Sequence, residues 1–358
     1  MWKIIDTYIF KKFLSAFFFV VGILISVVCI IHYTDRSEKF IENQITMVET
    51  LNYYLDYAPY IANQITPLTI FIAAVFVTSQ LATHTEIIAM LSSGISFRRI
   101  MAPYMAGAIL IGLLSFYISG WVIPNSNKDR IAFEMKYFEK SYYYAERDIH
   151  IKIGPQSYLY LGSYNNNNET GYKLTLETIK GTKLKQKLTA RRMEWQEEEK
   201  KWKLKNWSLH EFDSIQENYT YGSEMDTTLM IHPKDFSSDY MLFEALTMEE
   251  LYNKIGDLRS RGADDVVMYE IESYVRFASP FAVIILTFIA LIVSARKTRG
   301  GQGFQIALGF LIAFIFIIFF IFSRSLAESG AVNPAVAVWI PNIIFGSLGL
   351  FLYRTVPR

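Results

Sequence analysis

One cysteine stands in the whole sequence, and that scarcity excludes a good deal. Cys29 has no second thiol in the chain, so an internal disulfide and a cysteine metal cluster are both ruled out. It lies in an apolar run and reads as a small buried side chain. Histidine is nearly as sparse: five residues (His32, His84, His150, His210, His232), all scattered. No HExxH pair and no GxxxxGK[ST] loop occurs, which removes the main support for a zinc protease or a P-loop nucleotide site. Charge of one sign is also lacking. The net charge of +1 shows none of the basic excess of a general nucleic-acid binder. No small-residue cleavage site follows the first apolar run, Phe13 to Ile31, which is too long for the core of a secretory signal. That run is expected to be a retained membrane helix.

What is present is apolar surface, and it is unevenly placed. Hydrophobic residues make up 52% of the 358, concentrated at the two ends around a charged middle. Crossing a bilayer core takes roughly 20 mostly apolar residues. Six stretches qualify: about Lys12 to Tyr33, Leu55 to Thr83, Ile100 to Ile123, Val266 to Ala295, Gln305 to Leu326 and Pro334 to Tyr353. The second and fourth are long enough to tilt or project. Lys3, Lys11 and Lys12 precede the first; Arg98 and Arg99 follow the second; Arg296, Lys297 and Arg299 follow the fourth; Arg354 and Arg358 follow the sixth. With six helices these flanks share one side, and the positive-inside rule makes it the cytoplasm. Both termini are therefore expected inside.

The other side then holds a loop from about Thr34 to Tyr54, a large segment from about Pro124 to Asp265, and a short turn from Glu328 to Asn333. In the large segment, IHIKI (Ile149 to Ile153), YLYL (Tyr158 to Leu161), YKLTLETI (Tyr172 to Ile179) and WKLKNWSL (Trp202 to Leu209) alternate as half-buried strands do. Asn165 to Asn168 with Gly171 read as a hairpin turn, and Glu194 to Lys203 as a charged hairpin tip. Several short strands separated by turns predict an antiparallel sandwich or jelly roll. Thr247 to Arg261 has helical spacing (Met248, Leu251, Ile255, Leu258). The expected fold class is an α-helical membrane protein with six transmembrane helices plus an inserted, jelly-roll-like all-β domain. Its parts are 1–123, with a cytoplasmic connector helix near 84–94; 124–262, the β domain; and 263–358.

Four elements could carry function. In Thr85 to Gly94, Ile87, Ile88 and Leu91 are expected on one helical face with Ala89 and Met90 beside it, and Glu86 elsewhere. Gly94 suits a helix C-cap. The element is either an interfacial connector or a helix docked on a cytosolic protein. The loop ARKTRGGQG from Ala295 is a flexible basic turn, or a phosphate cradle, although no strand precedes it. His32, Arg36, Arg276 and Arg324 lie at or near the outer helix ends. Charges at membrane depth pair or line a cavity. Glu272 with Arg276 and Glu328 with Arg324 have i,i+4 spacing; the alternative is that these cations meet anionic lipid headgroups, which suit the guanidinium fork. Asn63, Gln64, Pro67, Ser279-Pro280 and Pro341-Asn342 serve helix packing, or a hinge or cavity lining. No catalytic constellation stands out. Glu249-Glu250 and Asp264-Asp265 read as solvated helix caps, and an intramembrane hydrolase lacks its paired Asp, Ser-Lys or His-metal set.

These residues bear a resemblance. DTYIFKKFL at the start, TEIIAMLSSGISFRRIMAP after the second span, GWVIPNSN after the third, and the spacing of Arg276, Pro280, Gly309 and Trp339-Ile-Pro-Asn342 resemble the LptF/LptG (YjgP/YjgQ) permeases of the lipopolysaccharide export ABC transporter. The likeness covers nearly the whole length, and its opening motif leans to the LptG branch. The resemblance implies a permease subunit, not an enzyme, paired with a second LptF/LptG-type permease above an LptB-type ATPase dimer. ATP and Mg belong to that partner, and no cofactor or metal to this chain. It further implies that Glu86, Ala89, Gly94 and Ser96 belong to the segment seated in the ATPase groove. The first and fifth helices form a lateral gate, and the β domain, about Asn125 to Asp257, meets LptC and LptA-type jelly rolls. His32, Arg36, Arg276 and Arg324 become candidate contacts for lipid phosphate. The family often has lysine near His32; histidine is only partly charged at neutral pH, so Arg36 is the alternative there. A rival reading is a membrane-anchored sensor or assembly scaffold whose β domain binds a periplasmic partner.

Overall fold

The computed structural model describes residues 2–138, 149–154, 156–165, 168–197, 199–212, 217–229, 231–233, 242–261, 263, 266–295 and 301–354. Arg296, Lys297, Arg299, Asp264, Asp265 and Arg358 lie outside the described residues. Two compact units result. One comprises Met1–Phe133, Phe243–Leu251 and Val267–Arg358; the other Glu134–Leu242 and Tyr252–Val266.

The first unit is helical. Helices α1 (Ile4–Glu42) and α2 (Met47–Thr83) are joined by a four-residue turn. A 39-residue helix is about 58 Å long, nearly twice an apolar bilayer core of about 30 Å. The loop expected from Thr34 to Tyr54 is therefore mostly helix. Asn43 closes α1, its side-chain amide donating to Lys39 O (2.9 Å), and α2 opens on a capping box, with Glu49 N donating to Thr46 Oγ1 (3.3 Å) and Thr46 N to the Glu49 carboxylate (3.0 Å). Phe40 also packs on Tyr53 and Tyr54 across the turn. A short connector, α3 (Glu86–Ser92), leads to α4 (Phe97–Tyr117). A π-helical turn, Ile118–Val122, then passes directly into α5 (Ile123–Tyr137). Pro124 has no N–H to donate and its ring crowds the carbonyl four residues back; the widened turn just before it absorbs that break. The segment from Pro124 to Tyr137, expected in the β domain, is thus a continuation of the third span.

After the sheet come α6 (Leu242–Ala245), α7 (Met248–Arg261), α8 (Val266–Ser294), α9 (Gly301–Glu328) and α10 (Pro334–Tyr353). Among the described residues, six helices are long and apolar enough to cross a membrane. Their shared core includes Phe13, Phe71, Tyr104 and Leu286. Small residues let the helices close in: a Cβ on Gly107 would lie 2.8 Å from the buried Phe13 ring, and one on Gly112 3.3 Å from the Pro280 carbonyl. Near that proline, Asn342 Nδ2 donates to the carbonyl of Ala278 (3.0 Å), and Ser115 donates to Asn63 Oδ1 (2.6 Å). The polar residues noted within helices therefore serve packing at these points.

Among the described residues, the second unit holds six antiparallel strands: β1 (Ile149–Gly154), β2 (Ser157–Asn165), β3 (Thr170–Lys180), β4 (Lys183–Gln196), β5 (Lys201–Phe212) and β6 (Glu217–Thr227). They pair strictly in chain order, a meander rather than the crossed order of a Greek-key jelly roll. One apolar face carries the core, from Leu159 and Leu161 to Trp202 and Leu204. A crease crosses five strands. Inward positions fall three apart on each, not two: Leu161 and Tyr164, Gly171 and Leu174, Ala190 and Met193, Leu204 and Trp207, Gly222 and Met225. The rows stay in register, with Leu174 opposite Ala190 and Met193 opposite Leu204. Two outward residues in succession require a local twist, supplied by left-handed backbone at Lys173 (φ 54°) and Asn206 (φ 52°). The sheet thereby folds both inward rows onto one core.

Helix α7 opens on a second capping box, with Thr247 N and Oγ1 donating to Glu250 Oε2 (2.8 and 2.9 Å). The Thr247 backbone N–H, then its hydroxyl, hold the Glu250 carboxyl below its ordinary value of 4.5. A depressed carboxylate gives stability that is present above the ordinary value and lost as pH falls through the depressed one. Amide-exchange protection in the first turn of α7 should therefore drop on acidification below the ordinary carboxylate range, a step that Glu250→Ala should lack.

Candidate functional site

At one end of the helical unit, contacts gather the starts of α1 and α4, the connector α3 and the end of α10. The two arginines after the second span do more than mark a side. Arg98 Nε donates to Tyr353 Oη (2.9 Å). Arg99 pairs with the buried carboxylate of Asp6, which also accepts from Lys3 N (2.6 Å). Asp6 was not foreseen as a partner.

Connector α3 is set off by two left-handed residues. Thr85 (φ 62°) precedes it and Gly94 (φ 84°) follows it. A β-branched residue in that conformation is rare, and it marks a sharp reversal out of α2. At the far end Gly94 N donates to Leu91 O (3.0 Å) and Ile95 N to Met90 O (3.0 Å). These two bonds are a Schellman cap, which needs glycine at the left-handed position. Ser96 then begins α4, its carbonyl accepting from Arg99 N (2.9 Å). Ile87 is buried, and Met90 and Leu91 pack on the same core. Ile88 does not join them as expected: it is 54% exposed. Adjacent helical residues differ by about 100°, so Ile87 turning in sends Ile88 out. The outward face is Ile88, Ala89, Ser92 and Ser93, with Gly94 and Ser96 also exposed. Glu86 is half-buried at its base, accepting from Tyr8 Oη (3.2 Å), which in turn accepts from Lys12 Nζ (3.1 Å). The four residues expected in one docking segment, Glu86, Ala89, Gly94 and Ser96, thus fall within one short, largely exposed stretch.

The expected cations lie elsewhere in this unit. His32 is half-buried among rings: Tyr53, Tyr54 and Tyr57 lie 5.9, 5.9 and 4.7 Å from it by centroids, and its Nδ1 is 3.0 Å from Tyr54 Oη. Arg36 is half-buried one turn further along α1. Tyr53, Tyr57 and Tyr60 form a stripe at i, i+4 and i+7 on α2, with Tyr57 and Tyr60 6.3 Å apart. The stripe leads to charges that sequence reasoning missed. The Arg130 guanidinium lies 4.4 Å from the Tyr60 ring centre and donates to Glu244 Oε2 (2.8 Å) and Asn127 Oδ1 (3.0 Å). Burial, then the charge of Glu272, push the Glu244 carboxyl above its ordinary value, against the pull of Arg130 and Arg324.

Arg276 enters from the other side. Its Nε donates to Glu272 (2.9 Å), and its two terminal nitrogens to the carbonyls of Leu246 (2.7 Å) and Phe243 (3.1 Å). Those carbonyls sit at the end of α6, where a helix leaves acceptors unsatisfied. Two arginines therefore pin α6, one through a side chain and one through its backbone. The guanidinium of Arg276 is buried and committed to protein acceptors, an arrangement the headgroup expectation did not include. Arg324 pairs with Glu328 (2.8 Å) and is 31% exposed. The tyrosine spacing was a readable signal for this girdle. Arg130 and Glu244 gave none, since 114 residues separate them.

One comparison reaches nearly the whole chain. A family model described as the lipopolysaccharide export system permease LptF/LptG matches residues 7–355. No curated protein sequence matches.

Proposed function

The chain belongs to the LptF/LptG family of lipopolysaccharide export permeases, and on that premise we propose that it is one half of a two-permease channel driven by a cytosolic ATPase dimer of the LptB type. The termini and α3 face the cytoplasm, and the β domain faces the periplasm. Lipopolysaccharide enters between α1 and α9 and leaves along the apolar trough of the creased sheet toward LptC and LptA-type β-jellyroll proteins. ATP and Mg act on the partner.

The observation that carries this reading is α3 itself. It is a seven-residue helix with an exposed Ile88–Ala89–Ser92 face, its inner face fixed in the core by Ile87 and its end locked by Gly94. Such an element transmits displacement rather than absorbing it. The flanks agree. The most apolar stretch of α1 is only 6% buried, and that of α9 22%, so both present apolar surface to lipid or to a second permease. Among the described residues, strand β6 ends the sheet order with exposed Tyr219 and Tyr221, a place where a partner strand can add.

Glu86→Ala should leave the permease folded but cut ATP-driven lipopolysaccharide release roughly tenfold or more, the size that a charged hydrogen bond across an interface reaches. Release from reconstituted vesicles measures it, and unchanged release would remove the coupling role. The β6 edge also suits a scaffold that only holds a periplasmic partner. Mild detergent purification from the native membrane separates the readings: the exporter brings down an ATPase and a second permease, the scaffold periplasmic proteins alone.

A further inference from the structure

The start of α1 is tied both to the connector and to the helix that follows it. Asp6 is buried and bonded to Arg99 at the head of α4. Two residues on, Tyr8 reaches the other way and donates its hydroxyl to Glu86 Oε2 at 3.2 Å. Lys12, one turn later, donates to the same phenol oxygen (3.1 Å) and sits 5.3 Å from the ring centre. A cation donating to a phenol oxygen makes that phenol a stronger donor in its turn, since linked hydrogen bonds polarise one another. Glu86 Oε1 has no hydrogen-bond partner among the described residues. The carboxylate can therefore hold Tyr8 through one oxygen and a cation of a docked protein through the other.

Over its first half α1 is attached along one narrow stripe, and its far end packs on α2 through His32 and Phe40. Ile9, Phe13 and Phe17, at i, i+4 and i+8, are buried. Phe13 packs on Tyr104 (5.2 Å between ring centres) and over Gly107, while Phe18, Phe19, Ile23, Val27 and Ile30 are exposed. A helix gripped at its end and along one stripe turns as a unit when the grip moves.

We propose that Tyr8 is a positioning residue that links the connector helix to α1, so that displacement of α3 rotates the exposed apolar face of α1 directly. The inference rests on the reading that Glu86 faces the ATPase. It deepens that reading: the first helix is driven through its own cytoplasmic end, in parallel with the covalent path through α2 and α4.

The test uses the assembled exporter in lipid vesicles, with ATP hydrolysed and lipopolysaccharide released measured in the same sample. Tyr8 is 47% exposed, so Tyr8→Phe removes one oxygen without disturbing a core. It should leave assembly intact and lower the lipid released per ATP roughly tenfold, the scale of one hydrogen bond to a charged group. A residue with a merely structural role would change yield or thermal midpoint, not this ratio. Glu86→Gln keeps an oxygen for Tyr8 while discarding the charge, so Tyr8→Phe should still lower the ratio on that background. On a Glu86→Ala background it should add nothing. An unchanged ratio in Tyr8→Phe, or a full independent loss on top of Glu86→Ala, overturns the link. If Glu86→Ala itself leaves hydrolysis and release untouched, the ATPase-facing reading falls instead, which keeps the two failures apart.

Discussion

Replacing Arg130 with methionine should cost roughly 3–5 kcal/mol of stability, the usual penalty for stranding a buried charge. The Arg130 side chain is 4% exposed and that of Glu244 13%, so solvent offers Glu244 little substitute. Glu272 is close enough to push on it already. The loss should depend on pH, and the sign follows from Glu244. Its carboxyl is raised above the ordinary value, so it resists ionisation even with Arg130 present. Without Arg130 the charged form is worse still. Destabilisation should be largest at neutral and alkaline pH, and should fade as the pH falls and the carboxyl takes up its proton. Replacing both partners, Arg130→Met with Glu244→Leu, should recover most of the loss, because no charge is left unpaired. Thermal midpoints in detergent at two pH values, for the single and double variants, decide it. A single variant as stable as the parent at pH 8 would mean that the pair does not hold α6.

The same cluster explains why charges near the membrane were read unevenly from sequence. Glu272 and Arg276 are one helical turn apart, as are Arg324 and Glu328, and any helix brings such residues together. Their pairing could be written down before the fold was known. The use of Arg276 as a cap for α6 could not, because α6 is a four-residue helix that only packing defines. The spans themselves were legible, since apolar length is a property of composition. Their extensions were not. Polar residues from Thr34 to Glu42 stay helical with Asn43 closing the helix and with rings on the facing helix packed against Phe40. At the connector, the glycine stop was legible from residue type alone, because few other residues tolerate its backbone. Which of Ile87 and Ile88 turned inward was not, because that choice belongs to the core beneath.

Tyr8 and Glu86 mark a different limit. They lie 78 residues apart, and each is an ordinary polar residue in its own segment. Only the closure of α1 against the α2–α4 connection makes them neighbours. The proposed coupling therefore rests on contacts with the weakest local signals: at helix ends, in short connectors and between distant segments. Apolar runs can be read from composition, whereas the few polar contacts at their ends emerge only when distant segments meet.

Deleting Asn206 should prevent the β domain from folding. The slip is visible in the sequence of β5: Trp202 and Leu204 alternate, Lys205 and Asn206 both turn outward, and Trp207 and Leu209 resume on the inner face. Remove one residue and the two halves of the strand can no longer both face the core, because a shift of one residue turns every side chain to the opposite face. Either Trp202 and Leu204 or Trp207 and Leu209 must point outward. Trp202 is fully buried and its indole N–H donates to Ile231 O (2.9 Å). Losing a buried tryptophan and a leucine costs about 5–10 kcal/mol together, as much as most domains possess in total. Asn206→Gly supplies the control. It keeps the length and the left-handed backbone, which glycine adopts freely, and should fold normally with sheet registers intact. Limited proteolysis of the full-length protein, with cleavage sites mapped by mass spectrometry, distinguishes them. The deletion should open strands β4 to β6 to cutting while the membrane helices stay protected, and the glycine variant should cut like the parent. A deletion variant as resistant as the parent would show that the crease is a tolerated irregularity and not what shapes the trough.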